Sequence, residues 1–531
     1  MLSQDLIEKY KLHPLIAEIL YLRDIREDSQ IDNLMNSKKL TNPSNLHDMS
    51  KILDRIELAI SRKDKVVICG DYDVDGTVST AILYRYFKAI DFEVDTYIPH
   101  RLEEGYGISR EVVKKLANYQ LIITVDNGIG AFEAAIEAKN LGIDLIITDH
   151  HDLSADRKLP EAFAVLNPKI DNIEKCKFLS GAGLALFLVN CLENRFKRNV
   201  SLKEFVALAM IASITDVVPL LEDNRIIVKK GLEFLQHLPL GLLMLFESLK
   251  IDLENVQAKD IGFRIGPILN AAGRLGSADK TLQLLIEENE LRIMSLIESL
   301  KEINEKRKEI SNEAIEKFIN SVDSSKKVIV ISDDIHQGVL GIVAARIKEK
   351  YNKPVIVIGF EDGEDIGKAS CRSVPGFNMK FAIEATREFH LGGGGHYMAA
   401  GFVIRRDQVE SFKSSVESFA CEGKFNTFTP EIELNLSIDL LDRAFLKQFE
   451  SLEPFGAKFD YPLVSYSGEI TSLRILKNEH LLLKFDKKIT VFVFFADLSQ
   501  DLNKYRVGNH LTVKGEFSVQ KGQPKIIVSK N

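Results

Sequence analysis

Three short apolar runs frame the N-terminal half of the chain. Val66-Val67-Ile68-Cys69, Leu121-Ile122-Ile123-Thr124-Val125 and Leu145-Ile146-Ile147-Thr148 are rich in β-branched residues and lack polar alternation. Runs of this length and composition predict strands buried on both faces, as in a parallel sheet. About fifty residues separate the first two runs and about twenty the last two, which leaves room for helical crossovers. Residues 130–140 (GAFEAAIEAKN) read as one such helix. The apolar pattern returns at Lys327-Val328-Ile329-Val330-Ile331-Ser332 and at Pro354-Val355-Ile356-Val357-Ile358, with a helix after Gly338, and predicts a second α/β unit. Between the two units, residues 281–320 set Leu, Ile and Met at helical spacing among many charges, with no Gly or Pro. They predict one long or once-broken connecting helix whose charges form a solvated face.

After Pro454-Phe455-Gly456 the pattern becomes alternation in short stretches: 465–470, 480–485, 490–495, 510–517 and 524–529. Five short strands predict a small barrel, most simply an OB-fold. Residues 1–45 are short helical pieces ending at Asn42-Pro43-Ser44-Asn45. The expected fold class is therefore α/β, with an N-terminal helical appendage (1–45), a first α/β domain (46–230), a helical connector (231–325), a second α/β domain (326–425) and a C-terminal barrel (426–531).

The residues just past each apolar run supply the chemistry. The first run ends in Asp71-Tyr72-Asp73-Val74-Asp75-Gly76, the second in Asp126-Asn127-Gly128 and the third in Asp149-His150-His151. Three carboxylates within one turn of chain repel one another unless a cation sits among them, and hard oxygen donors suit magnesium or manganese. Taken alone, the first cluster equally suits a solvated acidic turn. Parallel strands share one crevice at their carboxyl ends, however, so acids and histidines at three such ends converge. Asp216, after the apolar helical stretch Phe205-Val206-Ala207-Leu208-Ala209-Met210-Ile211-Ala212, is a fourth candidate, because a carboxylate there is costly to bury unless paired or metal-bound.

Composition narrows the setting. No run approaches the length of a membrane span, and the first residues (MLSQDLIEKYKLHP) lack a signal-peptide core. Five scattered cysteines with no zinc spacing suit reduced thiols, and the expectation is a cytoplasmic protein without membrane contact. The net charge of −8 argues against binding nucleic acid through bulk charge, yet residues 465–531 hold eleven Lys and Arg against six Asp and Glu. That basic end, with Phe485, Phe492, Phe494, Phe495 and Phe517, suits a platform for single strands; barrel core is the competing reading for each Phe.

The motifs DYDVDG, VDNG and TDHH with the later Thr215-Asp216 resemble the DHH phosphoesterase superfamily, and the chain as a whole is similar to its RecJ family of single-strand exonucleases. The similarity extends to Ile98-Pro99-His100-Arg101 with Gly105-Tyr106-Gly107, to Gly266-Pro267-Ile268-Leu269-Asn270-Ala271-Ala272-Gly273-Arg274 and to His336-Gln337-Gly338-Val339-Leu340-Gly341. It continues at Ser370-Cys371-Arg372-Ser373 and at Gly394-Gly395-His396-Tyr397-Met398-Ala399-Ala400-Gly401. The resemblance implies a DHH-associated substrate-binding domain after the connector, closing a narrow channel over the metal domain, and hydrolysis of single-stranded DNA from the 5′ end to 5′-mononucleotides, in repair and recombination. It implies two divalent ions, Mn2+ or Mg2+: Asp71, Asp73 and Asp126 on the first; Asp75, Asp126, His150 and Asp216 on the second. It further implies His151 at the scissile phosphate, Asp149 orienting the imidazoles, Arg372 with Ser370 at the 5′-phosphate, Arg101 and Arg274 in support, and His396 and His336 on the strand. The glycines 392–395 permit close backbone approach, although by themselves they equally suit a flexible loop.

The expected partner is single-stranded DNA, with a helicase and a single-strand-binding protein as accessories, and the expected state is a monomer. Two competing readings carry weight: a DHH phosphodiesterase on short oligonucleotides or cyclic dinucleotides, and a non-catalytic scaffold. The long connector and basic barrel weigh against the first, and the complete ligand set against the second. The chain departs from the family pattern at Val78, at Ile335 and at residues 457–462. None of these removes a proposed ligand.

Overall fold

The structure, a computed structural model, describes residues 2–36, 38–101, 103–154, 156–361, 363–423, 434–476, 480–494 and 498–528. Phe495 and residue 529, expected at strand ends, lie outside the described residues. The chain divides into two compact units, Met1–Leu300 with Glu431–Lys530, and Lys301–Pro430.

The first unit is built on β1 (Val66–Cys69), β2 (Asp95–Tyr97), β3 (Leu121–Val125), β4 (Asp144–Thr148) and β5 (Ala164–Leu166), in the order β2-β1-β3-β4-β5. All pairings are parallel. Each face has its own core: Val66, Ile68, Leu121 and Ile123 pack with helices Met49–Arg62, Val74–Ala89, Gly181–Phe196 and Lys203–Thr215, while Val67, Cys69, Ile122 and Ile147 pack with helices Arg110–Lys115 and Phe132–Asn140. Two-sided burial is why these strands read as unbroken apolar runs. In this order the chain reverses direction across the sheet between β1 and β3, and open α/β sheets bind ligands at such a switch point.

Two expected segments are integrated into larger cores. Leu242, Leu245, Phe246, Leu269 and Leu284, from the expected connector, belong to the same apolar cluster as the first sheet. The N-terminal helices bury Leu15, Ile16, Ile19 and Leu20 against Phe445, Phe449 and Phe517 of the C-terminal region. Arg225 ties these parts together: its guanidinium, 3% exposed, donates to the carbonyls of Leu34, Leu452 and Pro454 at 3.1, 2.6 and 2.8 Å. The connecting helix is broken once, into Asp279–Ile286 and Glu290–Phe318.

The second unit holds β6 (Ile329–Asp334), β7 (Val355–Phe360), β8 (Ile366–Arg372), β9 (His390–Gly395) and β10 (Ala399–Arg405), in the order β6-β7-β8-β10-β9. The glycine run is thus an edge strand and not a flexible loop: Gly392 to Gly395 pair with β10, and a Cβ on Gly395 would meet the Ala400 Cβ at 2.4 Å.

The C-terminal strands are β11 (Leu434–Leu436), β12 (Leu463–Leu476), β13 (His480–Phe485), β14 (Ile489–Val493), β15 (His510–Gln520) and β16 (Gln523–Val528). The order β12-β13-β14-β16-β15 closes through β12–β15 pairing into a five-stranded barrel, with helix Leu498–Lys504 between its third and fourth strands and β11 added beside β12. This is the OB-fold architecture. Among the described residues, no helix is long and apolar enough to cross a membrane.

Candidate metal centre

The site begins where β1 stops. Asp73 caps helix Val74–Ala89, accepting from the Gly76 amide at 3.0 Å, and this turns the chain back over the strand end. Gly76 is required by close approach: a Cβ there would lie 2.5 Å from the Asp71 backbone nitrogen. Asn270 accepts from the Val74 amide at 3.2 Å, and a Cβ on Gly273 would stand 2.1 Å from the Tyr72 carbonyl oxygen. Helix Gly266–Leu275 therefore clamps the acidic turn from outside.

After β3, Asp126 adopts left-handed backbone (φ 62°). Asn127 supports that bend, donating to the carbonyls of Cys69 and Val125 at 3.1 and 2.9 Å and accepting from the Ile108 amide at 3.0 Å. After β4, Asp149 accepts from the Ile129 amide at 2.8 Å and binds the His151 ring Nδ1 at 2.7 Å.

Three groups of donor atoms result, each with its atoms within 4.8 Å of one another: Asp71, Asp73 and Asp126; Asp75, His150 and Asp216; and Asp126, His150 and His151. His150 Nε2 lies 3.1 Å from Asp126, 3.6 Å from Asp75 and 3.8 Å from Asp216. Asp126 is common to two groups, and His150 links it to Asp75 and Asp216.

The electrostatics fit a cation. Burial, reinforced by the neighbouring carboxylates, raises the pKa of Asp71, Asp126 and Asp216 well above the usual carboxylate range, and pushes that of Asp75 up to about 7. Asp71 Oδ1 and Asp126 Oδ1 are buried and receive no hydrogen bond. Burial and the charge of His151 lower His150 to about 3, which keeps its imidazole neutral and able to present a lone pair. Buried carboxylates with bare oxygens around a neutral imidazole form a donor set for a divalent metal such as manganese or magnesium. His151 differs in character. Burial is the largest single influence and opposes its charge, but the Asp149 hydrogen bond together with the charges of Asp149, Asp216 and Asp75 raises it to about 9, so it is a cationic donor at neutral pH.

The arginines fall into two settings. The Arg101 guanidinium lies 4.8 Å from the centre of the Tyr72 ring, in the acidic turn, and both Arg101 and Arg274 act electrostatically on the Tyr72 hydroxyl. Within the second unit, Arg372 Nη1 donates to the Ser370 hydroxyl at 3.3 Å and the Cys371 carbonyl at 2.8 Å. Gly341, in the first turn of helix Leu340–Tyr351, leaves room for that guanidinium: a Cβ would stand 2.8 Å from Arg372 Nη2 and 3.2 Å from Ser370 Oγ. His336 accepts from the Gly338 amide at 3.0 Å, and His396 is exposed beyond the glycine edge.

On the barrel the aromatic candidates separate. Phe485 and Phe517 are fully buried and belong to the barrel core, which removes them as a stacking surface. Phe494 is 41% exposed, with Phe492 6.1 Å away and nearly parallel and His480 5.3 Å away.

Asn127, Asn270, Gly273 and Tyr106 stood in motifs of the sequence without an assigned role, and the Ser180-Gly181-Ala182-Gly183 turn had none; the Tyr106 hydroxyl donates to the Asp126 carbonyl at 3.2 Å and meets the His151 ring. The one local signal was a Ser N-cap opening a glycine-rich helix start.

Three family models match the chain in order: the DHH family N-terminal domain over residues 65–214, the DHHA1 domain over 324–422 and the RecJ OB domain over 432–525. The chain is 32% identical over 470 residues to the single-stranded-DNA-specific exonuclease RecJ of Bacillus subtilis, covering 85% of this chain but 58% of that relative's length. It is 34% identical over 430 residues to the RecJ of Haemophilus influenzae, covering 76% of this chain and 73% of the relative. The structure of RecJ in complex with Mn2+ from Thermus thermophilus superposes with a TM-score of 0.82 at 27% identity, covering 99% of this chain and 76% of that one. With the acidic strand ends, the second α/β unit and the barrel in the same succession, the chain belongs to the RecJ family of single-stranded-DNA-specific exonucleases.

Proposed function

We propose that this protein hydrolyses single-stranded DNA from its 5′ end, with two divalent cations, Mn2+ or Mg2+. The observation that carries the reading is the crowding of Asp71, Asp73, Asp75, Asp126, His150 and Asp216 at the sheet's switch point, with buried carboxylate oxygens that no protein donor satisfies. Asp71, Asp73 and Asp126 would hold one cation, and Asp75, Asp126, His150 and Asp216 the other. Bound cations supply charge neutralisation at the phosphodiester and activation of the attacking water.

The remaining roles follow from charge. His151, kept cationic by Asp149, donates to the scissile phosphate. Arg372 carries a desolvated guanidinium that pairs with no carboxylate among the described residues and sits beside a helix N-terminus, a setting that favours an anion. We assign it, with Ser370, to the 5′-phosphate. Arg101 and Arg274 flank the metal turn and would hold the adjoining phosphate, while His396 and His336 would contact the strand. On the barrel, the outward row Arg474, Leu482 and Phe492, continued by His480 and Phe494, offers stacking rings with a nearby cation. A helicase and a single-strand-binding protein are the accessory partners proposed, on the motif resemblance alone.

The test is degradation of end-labelled substrates with Mn2+ or Mg2+: 5′-phosphorylated single strands, duplex, RNA and a dinucleotide. Mononucleotides released from the 5′ end of single-stranded DNA are expected. Digestion from the 3′ end, or preference for the dinucleotide, would overturn the reading.

A further inference from the structure

Of the acids assigned as metal ligands, Asp75 is the one that accepts a backbone amide on each of its two oxygens among the described residues. Its carboxylate, 1% exposed, accepts from the Gly181 amide at 2.6 Å and the Ala182 amide at 2.8 Å, one on each oxygen. Both donors come from the first turn of helix Gly181–Phe196, whose amides have no intrahelical partner. Each oxygen retains a second lone pair, and Oδ2 lies 3.6 Å from His150 Nε2. The turn is itself fixed: Ser180 Oγ accepts from the Gly183 amide at 3.0 Å and contacts Ser213 Oγ at 3.1 Å, and Ser213 donates to the Ala209 carbonyl at 2.8 Å. Helix Lys203–Thr215, which carries Ser213, leads directly into Asp216.

The same turn abuts Asp126 by shape. A Cβ on Gly181 would lie 2.6 Å from Asp126 Cβ, 2.8 Å from Cγ and 2.7 Å from Oδ1, separations that real atoms do not tolerate. Asp126 cannot swing aside freely, because its left-handed backbone is held through Asn127 and Tyr106. Gly183, two residues on, is different: a Cβ there would meet only the flexible end of Leu179 at 3.0 Å and the Ser180 side chain. A glycine in the first turn weakens a helix relative to alanine, so close approach is the feature at 181 that demands it.

We infer that Gly181 is a positioning residue: through its amide and its missing side chain it sets the separation of Asp75 from Asp126, and thereby the affinity for the second cation. The inference rests on the proposed two-cation reading of this site. It goes further by making the paired amides of Gly181 and Ala182, which donate no metal ligand, the gauge of the paired site. Neighbours that orient metal ligands characteristically change metal affinity by about 10- to 100-fold when altered.

The experiment is a Mn2+ titration of the full chain followed by electron paramagnetic resonance, with calorimetry for the affinities. Wild type should show a spin-coupled pair at two equivalents. Gly181→Ala should weaken the second equivalent by about 10- to 100-fold and abolish the coupled signal, with unchanged circular dichroism. Its turnover should recover partly at high Mn2+ while the KM for the strand stays put, which a general loss of structure would not produce. Gly183→Ala should retain the coupled pair. Should Gly181→Ala fold poorly, Ala182→Pro removes one amide from Asp75 within a first turn that tolerates proline, and the same selective loss is expected. A coupled pair of wild-type affinity in a folded Gly181→Ala or Ala182→Pro protein overturns the inference alone. Absence of any coupled pair in wild type overturns the two-cation reading and the inference with it.

Discussion

In the parallel sheet the candidate ligands cluster just beyond the ends of β1, β3 and β4, and several of their carboxylates are almost dry; on the barrel the candidate stacking residues stand along the strands, on an outward face, and are wet. Asp71, Asp75 and Asp126 are 2%, 1% and 3% exposed, whereas Phe494 is 41% exposed. The difference governs how each region uses charge. Buried carboxylates lose most of their hydration and interact strongly with one another, so a small displacement is felt by all of them. Exposed lysines and rings act nearly independently, each adding a modest increment that salt screens. In the proposed function, chemistry belongs to the first setting and grip on a long polymer to the second.

Breaking the dry region should cost most. Asp126→Ala removes the carboxylate common to two ligand groups, and turnover should fall by about 10³-fold or more, roughly 4 kcal/mol of barrier, while strand binding by gel shift persists. Substantial residual turnover would refute the shared-ligand role. Arg372→Gln should raise KM for 5′-phosphorylated strands by about 10- to 100-fold, the range for losing a charged hydrogen bond, and leave 5′-hydroxyl strands nearly unchanged. An equal loss on both would remove the end-recognition assignment.

The electrostatics can be tested without substrate. In chelator, folded Asp75 holds its proton up to about pH 7, whereas the unfolded chain releases it near 3.8. The folded state therefore binds more protons in this window, and this contribution to stability declines as pH rises from about 4 to about 7. Thermal melts of wild type against Asp75→Asn should diverge in that direction, and Mn2+ should reverse the loss. A wild-type advantage that grows with pH in chelator would contradict the crowded-carboxylate picture.

The wet region should yield the smallest effects. Phe494→Ala should weaken binding to long strands by about five-fold, near 1 kcal/mol, and leave trimer cleavage intact. Lys484→Glu should lower the salt slope of strand binding by about one if that residue meets a phosphate. Loss of trimer cleavage in either variant would place the barrel face inside the catalytic centre and erase the contrast.

Legibility in the sequence follows the same division. The strands β1, β3 and β4 were readable because two-sided burial writes an unbroken apolar run, and their acids because parallel ends converge. The strands β2 and β5, three residues each, left no such mark. Within the barrel, the alternation of His480-Leu481-Leu482-Leu483-Lys484-Phe485 already set Leu481, Leu483 and Phe485 on one face, and that face is the buried one. The aromatic surface of Phe492 and Phe494 emerged only from the register of β13 against β14. The clamps on the metal turn were hidden for another reason. Asn270 and Gly181 act on residues 196 and 106 positions away, so their own neighbourhood in the chain does not show what they hold.

The sequence by itself determined the donor types and the strand ends on which they converge, because both follow from local pattern: apolar runs that must be buried, and charges that must stand where the run stops. Tertiary structure alone decided which carboxylate oxygens are bare, which imidazole is neutral and which cationic, and which phenylalanines face solvent. Those properties are set by desolvation and by contacts between elements far apart in the chain, and neither exists until the elements pack.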